Sequence, residues 1–262
     1  MYLAVDADHN PIPFVDSITL ANLSAEIVAI QACGIGAIYL HAADYKAPLA
    51  KACAFVKRMA PDMLIFAELN CSEFYARYKS DNVAVRSLDN DAVLEDMRDA
   101  AIQLAQSGAD VVVPNEMYDG VVSNLRNLLD STGFSDVLIM AHGAKYASAG
   151  TSFNEQSYRM NPANSALALR SFETVINEDA DIVMLRPANN YLDVLGQVAN
   201  EFSEVPVAAF QGSDIVAMIK SASSAGFLNE RDAIIESLLS IKRAGANFII
   251  TYFAKTMAKY LA

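Results

Sequence analysis

Short apolar runs recur along the chain with amphipathic stretches between them, and most of the runs are continuous rather than alternating. A strand buried on both faces, as in a parallel sheet covered by helices, has that pattern, whereas a half-exposed strand alternates apolar and polar positions. The pattern predicts eight strands: Tyr2–Val5, Ala37–Leu40, Met63–Leu69, Asp110–Pro114, Val137–Ala141, Asp181–Leu185, Pro206–Phe210 and Asn247–Tyr252. Between them Ser24–Gln31, Asp91–Gln106 and Ala233–Arg243 read as helices, with Gly34, Gly108 and Gly245 just past their ends. Glycine there is a usual stop before the next strand. Eight strands alternating with helices over 262 residues predict an α/β fold, a TIM (β/α)8 barrel, as one domain over residues 1–262. A doubly wound open sheet is the second choice, and no GxGxxG follows any strand to favour a dinucleotide fold.

Composition narrows the partners. The net charge is −12 and the sequence pI about 4.6. That speaks against nucleic acid, whose phosphates need clustered Lys and Arg, and against an anionic membrane surface. It leaves room for a small anionic substrate, because one local cation outweighs the global sign. The three cysteines, Cys33, Cys53 and Cys71, form no CxxC pair, so neither a disulfide framework nor a zinc ribbon is expected. A reduced, cytoplasmic setting fits best. The first residues lack a signal-peptide pattern, no apolar run approaches 18 residues, and no Pro/Gly/Ser-rich linker divides the chain.

Barrel chemistry lies at the C-terminal ends of the strands. By position alone that selects Glu68, Asn115, Glu116, Asp119, His142, Lys145, Arg186, Gln211, Ser213 and Tyr252. Lys145 reads as lying in a loop after the fifth strand, flanked by small and aromatic residues. Apolar surroundings depress a lysine pKa and suit it to imine chemistry, although most loop lysines are simply solvated. Arg186 follows Ile182-Val183-Met184-Leu185 directly, so its charge points into the barrel mouth. It is a clamp for a substrate carboxylate or half of a structural pair with Glu68 or Glu116. Glu116 is a candidate for acid/base work and His142 for moving protons, with a packing role equally open for His142. Asp119 serves equally well as a helix cap. Tyr252 is either a hydrogen-bond donor to substrate or a satisfied buried tyrosine. No metal-ligand spacing surrounds His9 or His41.

Several longer segments resemble a known family. Gly108-Ala109-Asp110-Val111-Val112-Val113-Pro114-Asn115-Glu116-Met117-Tyr118-Asp119-Gly120 resembles GADxVAPSDMMDG. Ala144-Lys145-Tyr146-Ala147-Ser148, Met160-Asn161-Pro162-Ala163-Asn164 and the stretch from Glu236 to Lys255 add ordered matches. The chain is identified as a member of the porphobilinogen synthase (5-aminolevulinate dehydratase) family, with strong likeness from about residue 105 onward and weak likeness before it. The resemblance implies a TIM barrel that condenses two 5-aminolevulinate molecules through Schiff bases on two lysines. It makes Lys145 one of them and gives Ser213 and Tyr252 the task of holding a substrate carboxylate.

The departures are as informative. The family motif MVKPGxPYLD reads here Met184-Leu185-Arg186-Pro187-Ala188-Asn189-Asn190-Tyr191-Leu192-Asp193, so Arg186 stands in place of the second lysine. A guanidinium stays protonated and forms no imine. The family's zinc segment, VCLCEYTSHGHCG, has Asn70, Ser72 and Ser80 at its cysteine positions, and amide or hydroxyl oxygens are poor replacements for thiolates. Asn115-Glu116 replaces Ser-Asp, and only eleven residues separate Ser148 from Met160, where the family has a longer lid with arginines; Glu155 falls near one of them. The family's N-terminal arm has no counterpart before the first strand. These changes predict no metal, no cofactor, and a homodimer or monomer rather than an octamer. They predict a lyase-like Schiff-base enzyme that uses Lys145 alone on a keto or amino-keto acid. Glu116 and His142 would be catalytic, and Arg186, Ser213, Tyr252 and Gln211 would bind substrate. A catalytically silent relative that binds an acid or a protein partner is the alternative, and residual porphobilinogen synthesis a third.

Overall fold

The computed structural model describes residues 1–5, 14, 18–42, 48–70, 89–149 and 159–261. Eight parallel strands follow one another in chain order around a single sheet: β1 (Tyr2–Val5), β2 (Ala37–Ala42), β3 (Leu64–Leu69), β4 (Val111–Pro114), β5 (Leu138–Lys145), β6 (Ile182–Arg186), β7 (Val207–Phe210) and β8 (Phe248–Ile250). Tyr2 N donates to Thr251 O at 3.3 Å, which joins the last strand's end to the first. The expected TIM barrel is therefore the observed fold. The helices around it are α1 (Leu23–Ala32), α2 (Ala50–Met59), α3 (Asn90–Gln106), α4 (Val121–Ser131), α5 (Ala166–Asn177), α6 (Leu192–Glu201), α7 (Ser213–Ser224), α8 (Glu230–Arg243) and α9 (Ala254–Leu261). Two of them, α7 and α8, lie between β7 and β8.

The continuous apolar runs are explained by burial on both faces. Alternate residues such as Tyr39, Val113, Met140, Met184 and Phe210 fill the barrel. Their neighbours Leu40, Val112, Ile139, Leu185 and Ala209 pack outward against the helices. Local signals set the helix ends. Asp89 caps α3 by accepting from Ala92 N at 3.1 Å, and Asn229 caps α8 by accepting from Asp232 N at 3.2 Å. Gly245, past α8, adopts φ +113, a conformation that favours glycine, and a Cβ there would lie 2.5 Å from Ala199 Cβ.

Four C-terminal strand ends differ from expectation, β2 running to Ala42 and β6 to Arg186 besides those of β5 and β8, and one matters for chemistry. β8 ends at Ile250, so Tyr252 lies just beyond it. β5 does not stop at Ala141 but runs to Lys145, so Lys145 is a strand residue and not a loop residue. The pairing of β5 with β6 explains why this was missed. His142 pairs with Met184, and then Ala144, rather than Gly143, pairs with Leu185, followed by Lys145 with Arg186. Gly143 is the extra residue of a β-bulge. Without it, side chains three apart would point to opposite faces. With it, His142 and Lys145 both face the barrel interior. Gly143 itself abuts Phe172 of α5, where a Cβ would meet the ring at 2.2 Å.

Candidate active site

Lys145 ends β5 with only 1% of its surface exposed. Its Nζ donates to Asn115 O at 2.5 Å, Asn115 Oδ1 at 2.8 Å and Glu116 Oε1 at 2.7 Å. The apolar surroundings expected from its sequence neighbours are not what the amine meets. Three oxygens from the segment after β4 hold it. Glu116 is buried beside it, and burial pushes its carboxyl up to about 7 against the pull of Arg159 and Arg186. Lys145 and Glu116 thus form a buried pair in which the carboxyl gains or loses a proton near neutrality.

His142 lies on the same inner face. Its Nδ1 is 3.0 Å from Pro114 O, which assigns the ring hydrogen to Nδ1 as donor. Nε2 has no hydrogen-bond partner among the described residues. Burial, helped by the positive charge of Arg186, lowers its pKa to about 3, so the ring is neutral across the physiological range.

Arg186 ends β6 next to Lys145. Its guanidinium lies over the Phe210 ring at 4.0 Å, and Nη1 is 3.5 Å from Glu68 Oε1. Of the two glutamates considered as partners, Glu68 is the nearer. Glu68 Oε2 is also 3.3 Å from His41 Nδ1. Burial alone would raise the Glu68 carboxyl, but His41, Arg186 and His142 together hold it down at about 2. A folded pKa below the usual 4.5 means stability that is complete above about pH 4.5 and is lost as pH falls towards about 2. The full effect is about 3 kcal/mol. Urea denaturation between pH 6 and 2.5 is expected to show a shallower acid loss in Glu68→Gln than in the wild type. Parallel pH curves would contradict the assignment.

Ser213 opens α7, and Tyr252 follows β8. Both line one cavity of about 140 Å³ with Arg186, Phe210, Tyr146, Ser148, Asp214 and Arg159. Burial raises the Tyr252 phenol to about 12, so it remains a neutral donor. Gln211 is a correction to the expected substrate-binding set. Phe210 points inward, so its neighbour points out. Gln211 donates to Ser237 Oγ at 2.8 Å, accepts from Thr251 Oγ1 at 2.7 Å, and is absent from the cavity wall. Asp119 lines a second cleft, of about 410 Å³ between the start of α4 and α5, whose wall also includes Glu116 and His142, and Gly120 rather than Asp119 precedes α4 as its cap.

Arg159 escaped sequence reasoning. It lies in a short segment with no periodicity, and only the match beginning at Met160 hinted at its neighbourhood. The bridge between Tyr146 and Met160 brings it to the mouth, with Met160 N donating to Lys145 O at 2.9 Å. Arg159 Nη2 is then 3.6 Å from Glu116 Oε1, the same oxygen that Lys145 holds.

Of the zinc segment's cysteine positions only Asn70 lies among the described residues, and its amide is a poor replacement for a thiolate. Asn70, at a cysteine position, donates to Ala42 O at 3.2 Å and accepts from Asn115 Nδ2 at 3.3 Å. Its amide is thereby engaged in ordering the segment that holds Lys145. Ser72, Ser80, Cys71 and Glu155 lie outside the described residues, as does His9. Among the described residues no helix is long and apolar enough to cross a membrane.

Fold and site together define a (β/α)8-barrel protein with a buried lysine–glutamate pair and an arginine-lined cavity at its mouth. The family model for delta-aminolevulinic acid dehydratase matches residues 8–260. A delta-aminolevulinic acid dehydratase from Halalkalibacterium halodurans is 34% identical, covering 95% of this chain and 83% of its own. One from Synechococcus elongatus is 38% identical over 81% of this chain and 70% of its own, and one from Mycobacterium tuberculosis is 43% identical over 66% and 56%. The crystal structure of the Toxoplasma gondii enzyme, in complex with the reaction product porphobilinogen, superposes with a TM-score of 0.88. It is 30% identical and covers 99% of this chain and 83% of that one. The chain belongs to the delta-aminolevulinic acid dehydratase family.

Proposed function

We propose that this protein is a Schiff-base lyase in which Lys145 forms an imine with a small oxo or amino-oxo acid. The observation that carries this reading is the cross-strand pair Lys145–Arg186, both at inward positions of the barrel mouth, with Ser213 and Tyr252 beside Arg186 on one cavity. Arg186 holds the substrate carboxylate with its remaining donors, and the two hydroxyls complete the site. The Lys145 ammonium gives its proton to Glu116, whose carboxyl at about 7 is matched to that transfer. The neutral amine then attacks the ketone carbon, and loss of one water leaves the imine. His142 is a poorer proton acceptor, because its pKa is about 3 and its Nδ1 is committed to Pro114 O. Arg186 forms no imine, so porphobilinogen synthesis by a two-lysine route is not the expected reaction.

The test is borohydride trapping with 5-aminolevulinate and a panel of oxo acids, read by intact mass. One adduct per chain is expected, absent in Lys145→Ala, with the trapping rate rising as pH rises through about 7. In Glu116→Gln that inflection should disappear. Pyrrole formation by the wild type would return the protein to the ordinary activity of its relatives.

One observation favours a second reading, an acid-binding protein without turnover. Lys145 Nζ is held by three oxygens and does not line the cavity. Calorimetric binding of an acid with no trapped adduct at any pH would select that reading.

A further inference from the structure

Asn189, Gln211 and Thr251 lie outside the cavity wall, yet each is close in sequence to a residue within it. Asn189 follows Arg186-Pro187, Gln211 lies between Phe210 and Gly212, ahead of Ser213, and Thr251 precedes Tyr252. Two of the three meet at one hydroxyl on α8, and the third joins them through Gln211. Ser237 Oγ accepts from Asn189 Nδ2 and from Gln211 Nε2, each at 2.8 Å. Gln211 Oε1 accepts from Thr251 Oγ1 at 2.7 Å, and Thr251 Oγ1 accepts from Phe253 N at 3.0 Å. Gln211 and Thr251 are buried.

The strand ladders stop just short of these residues. β6 pairs with β7 as far as Leu185 with Ala209, and β7 pairs with β8 as far as Phe210 with Ile250. Beyond them Ala188 N donates to Phe210 O at 2.8 Å and Gln211 N to Ile250 O at 2.9 Å, each tying one strand end to the next. The Ser237 network does more, because it joins the ends of β6, β7 and β8 to one another and to α8. The Gln211 amide is committed at both its nitrogen and its oxygen, so its orientation is fixed. Removing the hydroxyl leaves two amide donors without their acceptor, and the segments that carry them must shift to find another.

We infer that Ser237, which touches no part of the cavity, is a positioning residue for the barrel mouth. With Gln211 as its bridge it sets the spacing of Arg186, Ser213 and Tyr252, and through that spacing the affinity for a substrate carboxylate. Only the carboxylate rests on the proposed function; the coupling of the three strand ends does not.

Hydrogen exchange on the unliganded full chain reads the coupling directly. In Ser237→Ala the amides of residues 188–190, 211–214 and 251–253 should all exchange about tenfold faster, while β2 and β3, across the barrel, stay as in the wild type. Calorimetry with 4-oxopentanoate should give about tenfold weaker binding in Ser237→Ala and near-wild-type binding in Ser237→Thr, which keeps the hydroxyl. The inflection of trapping near pH 7, set by Glu116, should not move. Gln211→Glu keeps the acceptor and loses the N–H donor, so it should match Ser237→Ala, and combining the two should add little. It also carries the comparison if Ser237→Ala does not fold. Faster exchange confined to one of the three segments, or unchanged acid affinity in both variants, would overturn the inference. Coupled exchange in a wild type that binds no acid would uphold the coupling and reject the carboxylate site instead.

Discussion

Replacing Gly143 with alanine is expected to destabilise the barrel by about 3 kcal/mol and to abolish trapping at Lys145. The added methyl would sit 2.2 Å from Phe172 Cδ1, well inside contact distance. Phe172 is fully buried beneath α5, so the ring cannot swing into solvent to make room. The strain is relieved either by moving α5 outward or by removing the bulge. Losing the bulge shifts the register after His142 and turns Lys145 from the interior towards the helices. Urea denaturation and borohydride trapping report the two consequences independently. The Gly143→Ala, Phe172→Leu double variant should recover part of both, since the leucine is smaller where the methyl intrudes. A Gly143→Ala protein with an unchanged midpoint and normal trapping would show that the bulge does not place the lysine.

Replacing Lys145 with methionine is expected to remove the adduct completely and to make stability steeply dependent on pH. The methionine fills much of the lysine's volume, but Glu116 loses the ammonium at 2.7 Å. Breaking a buried pair by removing one partner costs about 3–5 kcal/mol while the remaining group stays charged. Glu116 avoids part of that by keeping its proton, and its folded pKa, already about 7, rises further. The folded state then binds a proton that the unfolded state, with a carboxyl near 4.5, has released. Stability therefore falls as pH rises from about 4.5 through the folded pKa. The variant should be close to wild type at pH 5.5 and weakest at pH 8.5. Adding Glu116→Gln to Lys145→Met should flatten that difference. A penalty independent of pH would mean that packing, and not the charge, is what the lysine contributes.

Much of the barrel was legible in the sequence because its signals are local. A strand buried on both faces must be a short apolar run, and a helix that ends before a strand is commonly followed by glycine. All eight strands appear where the runs are, with differences confined to their ends. Lys145, Arg186, Ser213 and Tyr252 were found by the strand-end rule, and the mouth does bring Arg186, Ser213 and Tyr252 to one cavity. Gln211 failed for a reason also visible in sequence, since alternation after the inward Phe210 turns it outward. Other misses had no local signal. The run Ile139–Ala141 ends its apolar pattern at His142, so nothing in the composition announces that β5 continues through a bulge. Arg159 is placed by a bridge between Tyr146 and Met160, fourteen positions apart in the sequence. The surroundings of Lys145 were misjudged because small and aromatic residues beside it in sequence are not beside its amine, which extends towards Asn115 and Glu116.

The sequence by itself determined the architecture, the family, and the chemical groups available at the barrel mouth: one lysine, an arginine where a second lysine is usual, and no thiolate set in the zinc segment. Those follow from periodicity and residue type, which every short stretch carries. Which groups meet, and with what charge, was decided only in three dimensions. A single extra residue in β5 sets which way Lys145 points, and burial among distant strands puts Glu116 near neutrality while its neighbours keep Glu68 ionised. Both effects depend on contacts between residues far apart in the chain, where position along the sequence carries no distance and burial has no local signature.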